Sequence, residues 1–126
     1  MIITWFLVAA QAAPTAATDS LLAHFTSQGA TPDATRGATF WASEHAAPDG
    51  GAARSCTTCH GTSLDAAGKH ATTGEPIDPM TAAERLTDPA KIEKWFGRNC
   101  RWTLGRECTV PEKADVLAFL VAGGAR

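Results

Sequence analysis

Two cysteines and a histidine lie within one short run, Cys56-Thr57-Thr58-Cys59-His60. A helical turn with this spacing presents both thiols to the two vinyl groups of a haem, and the next imidazole then reaches the iron. The pattern Cys-x-x-Cys-His is therefore the attachment signature of a c-type haem. It predicts one covalently bound haem c, with Cys56 and Cys59 as the attachment residues and His60 as the proximal iron ligand.

Other kinds of site also use a Cys-x-x-Cys pair. A thioredoxin-like redox motif lies between a strand and a helix, whereas this run is surrounded by Gly-rich loop and Ala-rich helix. A zinc site would use all four cysteines, and the second pair, Cys100 and Cys108, lacks the spacing of a zinc knuckle. His60 favours haem over both alternatives.

The composition limits the core that the chain can build. Its 126 residues are enough for one domain, but they are poor in the Val, Ile and Leu that a stacked sheet needs. A haem would supply the missing apolar mass. The formal net charge of -2 gives no electrostatic footprint for nucleic acid, so we expect no nucleic-acid partner.

The first residues carry an apolar run that is followed by Ala10-Gln11-Ala12, a small-residue cleavage pattern. The run is much shorter than the ~20 residues that span a bilayer. We therefore predict a signal peptide over residues 1–12, a linker over 13–17 and a monohaem cytochrome c domain over 18–126. Haem attachment to this motif takes place outside the cytoplasm in bacteria, so the predicted location is the periplasm.

Capping signals and apolar periodicity predict an all-α domain. Helix starts are predicted at Thr18-Asp19, at Thr31-Pro32-Asp33 with Pro32 as the first helical residue, at Thr87-Asp88-Pro89, and at Thr109 with a capping box to Glu112. Gly97 is expected to interrupt the apolar positions of the third helix, which should stop near the second cysteine pair, and 61–79 are expected to be mainly loop. Gly37, with Phe40 and Phe119, predicts a close helix crossing. This order of elements is that of a class I cytochrome c fold around a covalently bound haem.

The sixth iron ligand cannot be chosen from spacing. The candidates are a sulfur, three imidazoles and an amide, namely Met80, His24, His45, His70 and Asn99, or no ligand at all. Asn is also a common helix C-cap, which is an alternative role for Asn99. Cys100 and Cys108 remain after haem attachment, and in an exported protein such a pair is most simply a disulfide.

Several runs resemble the sphaeroides haem protein (SHP) family between about Asp33 and Leu120. They are Cys56-Thr57-Thr58-Cys59-His60-Gly61, Glu93-Lys94-Trp95, Gly97-Arg98-Asn99-Cys100, Gly105-Arg106-Glu107-Cys108 and Glu112-Lys113-Ala114-Asp115. The resemblance implies that Asn99 is the sixth ligand and that Cys100 and Cys108 form a disulfide. It also implies a dihaem cytochrome c as redox partner, itself linked to a membrane cytochrome b, so membrane contact is expected only through that partner.

A neutral amide oxygen is a hard, weak donor that suits ferric iron better than the softer ferrous iron. We therefore expect Asn99 to leave on reduction, so that a haem used for electron transfer can also bind O2, NO or CO, as the resemblance implies. One alternative is an ordinary electron carrier with permanent Met80 or His ligation. Another is a terminal reductase of a small molecule, for which His70 and Glu75 are the nearest acid or base candidates.

Positive charge is concentrated around the predicted sixth-ligand helix and disulfide loop. Charged rims of this kind steer electron-transfer partners into small, transient interfaces. The residues that form the predicted rim are Lys91, Lys94, Arg98, Arg101 and Arg106.

Overall fold

The structure is a computed structural model that describes residues 14–81 and 84–123. In this part of the chain the elements are α1 (Ala16–Ser27), α2 (Ala34–Ala42), α3 (Thr57–His60), β1 (Gly68–Lys69), β2 (Pro76–Ile77), α4 (Pro89–Leu104) and α5 (Val110–Val121). None of the described helices is long and apolar enough to cross a membrane. The predicted signal peptide, residues 1–12, lies outside the described residues.

Two of the predicted helix starts are confirmed. The Asp88 side chain accepts hydrogen bonds from the backbone N–H groups of Ala90 and Lys91, and Pro89 occupies the first turn of α4. Thr109 and Glu112 form the expected reciprocal capping box at the start of α5. The residues that determine these two starts lie within one helical turn of each other, so the starts can be predicted from the local sequence.

The other two starts differ from the prediction. Helix α1 begins at Ala16, because Thr15 and Thr18 satisfy each other's backbone N–H groups in a capping box. The predicted start at Thr18-Asp19 is wrong, and the last residues of the predicted linker 13–17 are helical. Helix α2 follows the N-cap Asp33, whose side chain accepts from the Arg36 N–H, so Pro32 precedes the helix.

The segment predicted as loop contains a small hairpin. Strands β1 and β2 pair antiparallel, with Gly68 opposite Ile77 and Lys69 opposite Pro76. A Cβ atom at Gly68 would overlap the Cys59 carbonyl group and lie 3.1 Å from the His60 Cα atom. The hairpin therefore packs directly on the turn that carries the cysteine-histidine motif, and glycine is required at that contact.

Helices α2 and α5 cross at Gly37, as predicted. A Cβ atom at Gly37 would overlap the Asp115 carbonyl and lie 2.8 Å from the Phe119 Cβ atom. The Trp41 and Phe119 ring centroids are 5.9 Å apart, so the aromatic rings pack beside the crossing. Arg36 Nε donates to Asp115 Oδ2 at 3.0 Å and adds an ion pair across the same helices. Absence of a side chain at one position thus lets the two backbones meet.

The apolar core of the described residues has two parts. The first joins α1, α4 and α5 through Ala17, Leu21, Phe25, Ala30, Ile92, Ala114 and Leu117. The second, here called the Trp41 cluster, consists of Trp41, Leu64, Val116, Phe119 and Leu120, with Ala38, Phe40, Cys56, Met80, Leu86 and Phe96 packed against it. Leu86 and Phe96 contact both parts. The Trp41 cluster is the part of the core that adjoins the cysteine-histidine motif.

Candidate haem site

The turn of α3 brings the motif residues together. The His60 backbone N–H donates to the Cys56 carbonyl at 3.1 Å, which closes one helical turn around both cysteines. The Ser55 N–H donates to the Thr58 hydroxyl at 2.9 Å and fixes the entry to this turn. Cys56 and Cys59 are half-buried and are not joined in a disulfide. The predicted attachment residues therefore share one face of a short helix with free thiols.

The His60 imidazole is half-buried beside Trp41, with ring centroids 5.1 Å apart. Burial lowers the pKa of His60, and the positive charge of Arg85 lowers it further. Both effects favour the neutral imidazole, which is the form that ligates a metal. His60 is thus prepared for the proximal role that the motif predicts.

The Cys56 thiol packs against the Trp41 cluster. Burial raises the pKa of this thiol to about 11, so Cys56 keeps its proton at neutral pH. The two free thiols, the neutral imidazole and the apolar wall of the Trp41 cluster fit the requirements of a haem c. When bound, that group supplies a redox-active iron.

Asn99 lies within helix α4 and is exposed, as is Trp95 one turn earlier. Ile92 and Thr103, seven residues before and four residues after Asn99, are buried. Phe96, one turn earlier, packs against the Trp41 cluster. Asn99 therefore lies one turn of α4 after a residue that packs against the Trp41 cluster.

The alternative role of Asn99 as a helix C-cap is wrong. Helix α4 continues through Gly97 without interruption and ends at Leu104. Its C-cap is Gly105, which has a left-handed φ of 73° and donates its N–H to the Arg101 carbonyl. The helix thus leaves the Asn99 side chain without a capping function.

The structure pairs Cys100 with Cys108 in a disulfide. Among the described residues, no group of three or more His, Cys, Asp or Glu side chains could hold a metal ion. This pairing contradicts the four-cysteine zinc alternative, because the second pair of thiols is consumed. It also ties the residue after Asn99 to the loop that leads into α5.

The remaining ligand candidates lie in different places. Met80 is half-buried and packs against the Trp41 cluster, so it belongs to the site. His24 is exposed on α1, and His70 is exposed in the hairpin, where its Nδ1 accepts from the Thr72 N–H at 3.1 Å. His45 pairs through its backbone with Arg54, and its buried Nε2 has no hydrogen-bond partner in the described part of the chain.

Comparison with known proteins shows to which class of protein this helical fold and its cysteine-histidine motif belong. A model of a family described only as a domain of unknown function, DUF1924, matches residues 27–120. The cytochrome c-type protein SHP of Cereibacter sphaeroides is 46% identical over 98 residues, which cover 75% of this chain and 74% of SHP.

Two solved structures extend the comparison. The structure of oxidised SHP, described as an oxygen-binding cytochrome c, is 42% identical with a TM-score of 0.74 and covers 83% of this chain and 96% of SHP. The solution structure of cytochrome c'' from Methylophilus methylotrophus, described in terms of haem-ligand detachment, is 28% identical with a TM-score of 0.73. That match covers 82% of this chain and 91% of the neighbour.

The helical fold and these likenesses define a c-type cytochrome, so the predicted all-α cytochrome c fold is confirmed. Within this class, the sequence identity to SHP identifies the family. The chain belongs to the SHP family, and the DUF1924 family model matches it as well. Haem c is the cofactor of this class, and the roles of Cys56, Cys59, His60 and Asn99 toward it stay predictions.

Proposed function

We propose that this chain is an exported monohaem cytochrome that transfers electrons and binds O2, NO or CO when its iron is reduced. In this proposal Asn99 is the sixth iron ligand of the oxidised protein and leaves on reduction. The position of Asn99 carries the proposal, since its exposed side chain lies one turn of α4 after Phe96, which packs against the Trp41 cluster. The description of SHP as oxygen-binding supports it.

The surroundings of Asn99 suit a ligand that must leave and return. The Asn99 side chain makes no hydrogen bond to the described residues, so its departure breaks no bond to them. Cys100, the next residue, is buried and held by the disulfide to Cys108, which fixes the backbone while the amide moves. Because the amide oxygen is a weak donor to ferrous iron, reduction alone weakens the bond. Ligand detachment in cytochrome c'' supports such a cycle in this fold.

A second candidate function is that of an ordinary electron carrier with permanent Met80 ligation. It is favoured by one observation, the packing of Met80 against the Trp41 cluster. A thioether is a soft ligand that suits ferrous iron, so the reduced protein would stay six-coordinate and low-spin. The two candidates therefore differ in the reduced state.

The test compares Asn99→Ala with Met80→Leu in protein loaded with haem. The mass of each purified protein first shows whether residues 1–12 are absent and whether one haem is attached. Absorption spectra of the reduced protein are then recorded with and without CO. We expect a high-spin ferrous wild type that binds CO, and an Asn99→Ala variant that keeps its haem. The variant should bind cyanide in the ferric state at least about tenfold more tightly, because no internal ligand competes.

Met80→Leu is the matched control and should leave all these spectra unchanged. A reduced wild type that stays low-spin and refuses CO would contradict the release of Asn99. Loss of the low-spin spectrum in Met80→Leu, with no effect of Asn99→Ala, would establish the second candidate instead.

We also propose a docking surface for an acidic redox partner, such as a dihaem cytochrome c, on α4. Lys91, Lys94 and Arg98 are exposed and make no ion pair in the described part of the chain. Between them Trp95 is 47% exposed, and the Arg98 guanidinium lies 5.5 Å from its ring centroid. Exposed Trp among unpaired cations is typical of an interface hot spot. This set of four residues is called the α4 basic face below.

The α4 basic face is smaller than the predicted rim. Arg101 pairs with Glu107 at 3.3 Å, and Arg106 pairs with Glu112 at 2.8 Å. A carboxylate therefore offsets the positive charge of each of these two arginines. Trp95 precedes Asn99 by four residues and is therefore its neighbour on the helix surface. A partner seated on this face would lie beside the proposed ligand position.

A further inference from the structure

Leu86 lies in the short segment before α4 and has an unusual backbone. Its φ of 59° makes it the one non-glycine residue with a positive φ among residues 14–81 and 84–123. This conformation is unfavourable for leucine, so tertiary contacts must hold it. The Thr15 hydroxyl donates to the Leu86 carbonyl, and the Leu86 side chain packs against both parts of the core. The segment is thereby fixed in one orientation.

The preceding residue, Arg85, is half-buried and carries an unpaired charge. Its Nη2 donates to the Asp78 carbonyl at 2.9 Å, and no carboxylate of the described residues lies within ion-pair distance. Four other arginines each have a carboxylate partner; they are Arg36, Arg54, Arg101 and Arg106. Partly buried arginine without an anion is unusual, because desolvation of its charge is then uncompensated.

The location of Arg85 relates it to the haem site. Its hydrogen-bond partner Asp78 lies two residues before Met80, which packs against the Trp41 cluster. Leu86, the next residue, packs against the same cluster. The guanidinium is therefore at the edge of the apolar wall against which a haem would lie.

We propose that Arg85 binds a propionate carboxylate of the haem and that the fixed backbone of Leu86 directs it there. A haem presents two propionates, and a guanidinium offers five N–H donors in a planar fork that matches a carboxylate. Only one donor group of Arg85 is engaged with Asp78. The proposal holds whether or not Asn99 is the sixth ligand, since it concerns the edge of the haem and not the iron.

Such an ion pair has two measurable consequences. An adjacent guanidinium lowers the pKa of a carboxylate, so the paired propionate stays ionised at neutral pH. Removing the guanidinium raises that pKa and makes the reduction potential depend on pH near neutrality. Loss of a positive charge near the iron also favours the ferric state, so the midpoint potential falls.

The experiment compares Arg85→Gln with Arg101→Gln in the haem-loaded protein. Each variant loses one positive charge, but Arg101 is exposed and, among residues 14–81 and 84–123, pairs with Glu107 alone. At a fixed electrode potential, we expect Arg85→Gln to lower the ratio of reduced to oxidised protein by about tenfold. The propionate titration, followed by haem-methyl NMR shifts against pH, should move upward. Arg101→Gln should change the ratio by less than about twofold.

Equal effects of the two variants, or an unchanged titration in Arg85→Gln, would overturn the proposal. If the glutamine variant does not retain haem, Arg85→Lys provides the test. Lysine keeps the charge but loses the planar fork, so the titration should move upward while the redox ratio changes little. If the propionate of Arg85→Lys titrates at the same pH as that of the wild type, the result would count against a paired propionate.

Discussion

The Glu112 carboxylate joins the disulfide loop to α5. Arg106 donates to its two oxygens at 2.8 and 3.0 Å, and the Thr109 backbone N–H donates to Oε1 at 2.8 Å. The hydrogen bonds from Arg106 lower the pKa of Glu112 to about 2, and the bond from Thr109 acts in the same direction. A carboxyl with a depressed pKa stabilises the fold at pH values above its unfolded pKa of about 4.3. That stabilisation is lost as the pH falls toward 2.

Replacing Glu112 with Gln should therefore destabilise the protein in a pH-dependent way. We expect the free energy of unfolding at pH 7 to fall by about 1 kcal/mol, a value kept small because Arg106 is half exposed to solvent. The difference from wild type should become small near pH 2, where the Glu112 carboxyl of the folded protein is about half protonated. Urea unfolding of the haem-loaded protein at both pH values measures it. Glu44→Gln is the control, since Glu44 is exposed and forms no ion pair with the described residues, and an equal loss there would contradict the argument.

At the scale of elements, the crossing of α2 and α5 holds the N-terminal and C-terminal halves of the domain together. Gly37 allows it, because any side chain there would enter the Asp115 backbone. Gly97 in α4 provides a contrast, since a Cβ atom there would meet only the Arg101 guanidinium, at 3.4 Å. Glycine is thus required at residue 37 for steric reasons, whereas packing does not require glycine at residue 97.

The substitutions Gly37→Ala and Gly97→Ala should act in opposite directions. The first forces two helix backbones apart and should cost about 3 kcal/mol of unfolding free energy, at the upper end for overpacking. The second replaces a poor helix former with a good one and should add about 0.5–1 kcal/mol. Urea unfolding of both haem-loaded variants measures the difference. A Gly37→Ala protein as stable as wild type would show that the helices separate freely.

At the scale of the whole molecule, the charge is unevenly distributed. The formal net charge is -2, yet the α4 basic face concentrates three unpaired cations around Trp95. Long-range attraction follows the local field near a docking site as well as the net charge. The molecule can therefore repel an anion on average and still attract one at α4.

Small redox reagents test this field without requiring a partner protein. We expect ferricyanide, an anion, to oxidise the ferrous protein faster at low salt than at high salt, despite the negative net charge. Replacing Lys91, Lys94 and Arg98 together with Gln should slow that reaction by roughly tenfold at low salt. The cation hexaammineruthenium(II) should show the opposite salt dependence, and Arg101→Gln should leave both rates nearly unchanged. An anionic rate that rises with salt in the wild type would exclude the α4 basic face as a docking surface.

The parts of the fold that the sequence predicted correctly depend on neighbouring residues. The cap at Asp88 and the capping box at Thr109 lie within one helical turn, and Gly37 signals a close approach by its type alone. The hairpin at residues 68–77 could not be predicted, because two-residue strands have no alternating pattern. The start of α1 was misplaced because Thr15 and Thr18 both have cap-forming side chains, and their reciprocal bonds decide between them.

The site residues also divide into those that neighbouring residues reveal and those that depend on tertiary structure. Cys56, Cys59 and His60 are recognisable in the sequence because haem attachment depends on their spacing. Arg85 was missed, because its significance comes from contacts with Asp78 and from the packing of Leu86, both of which depend on tertiary structure. A positive φ at a leucine has no sequence signal at all. The sequence does not single out Arg85, because Glu84 and Asp88 are charged residues of the same approach to α4.

The hydrogen bond between Thr15 and Leu86 joins residues 71 positions apart, and the motif that attaches haem lies between them in the chain. The crossing of α2 and α5 encloses the same motif within a second long loop. Closing such loops is slow compared with forming a local helical turn. Once they close, Cys56 is half-buried with a raised pKa and is poorly available to an attachment enzyme. We therefore expect the order of biogenesis to be fixed, with haem attached to an open chain before that chain folds around it.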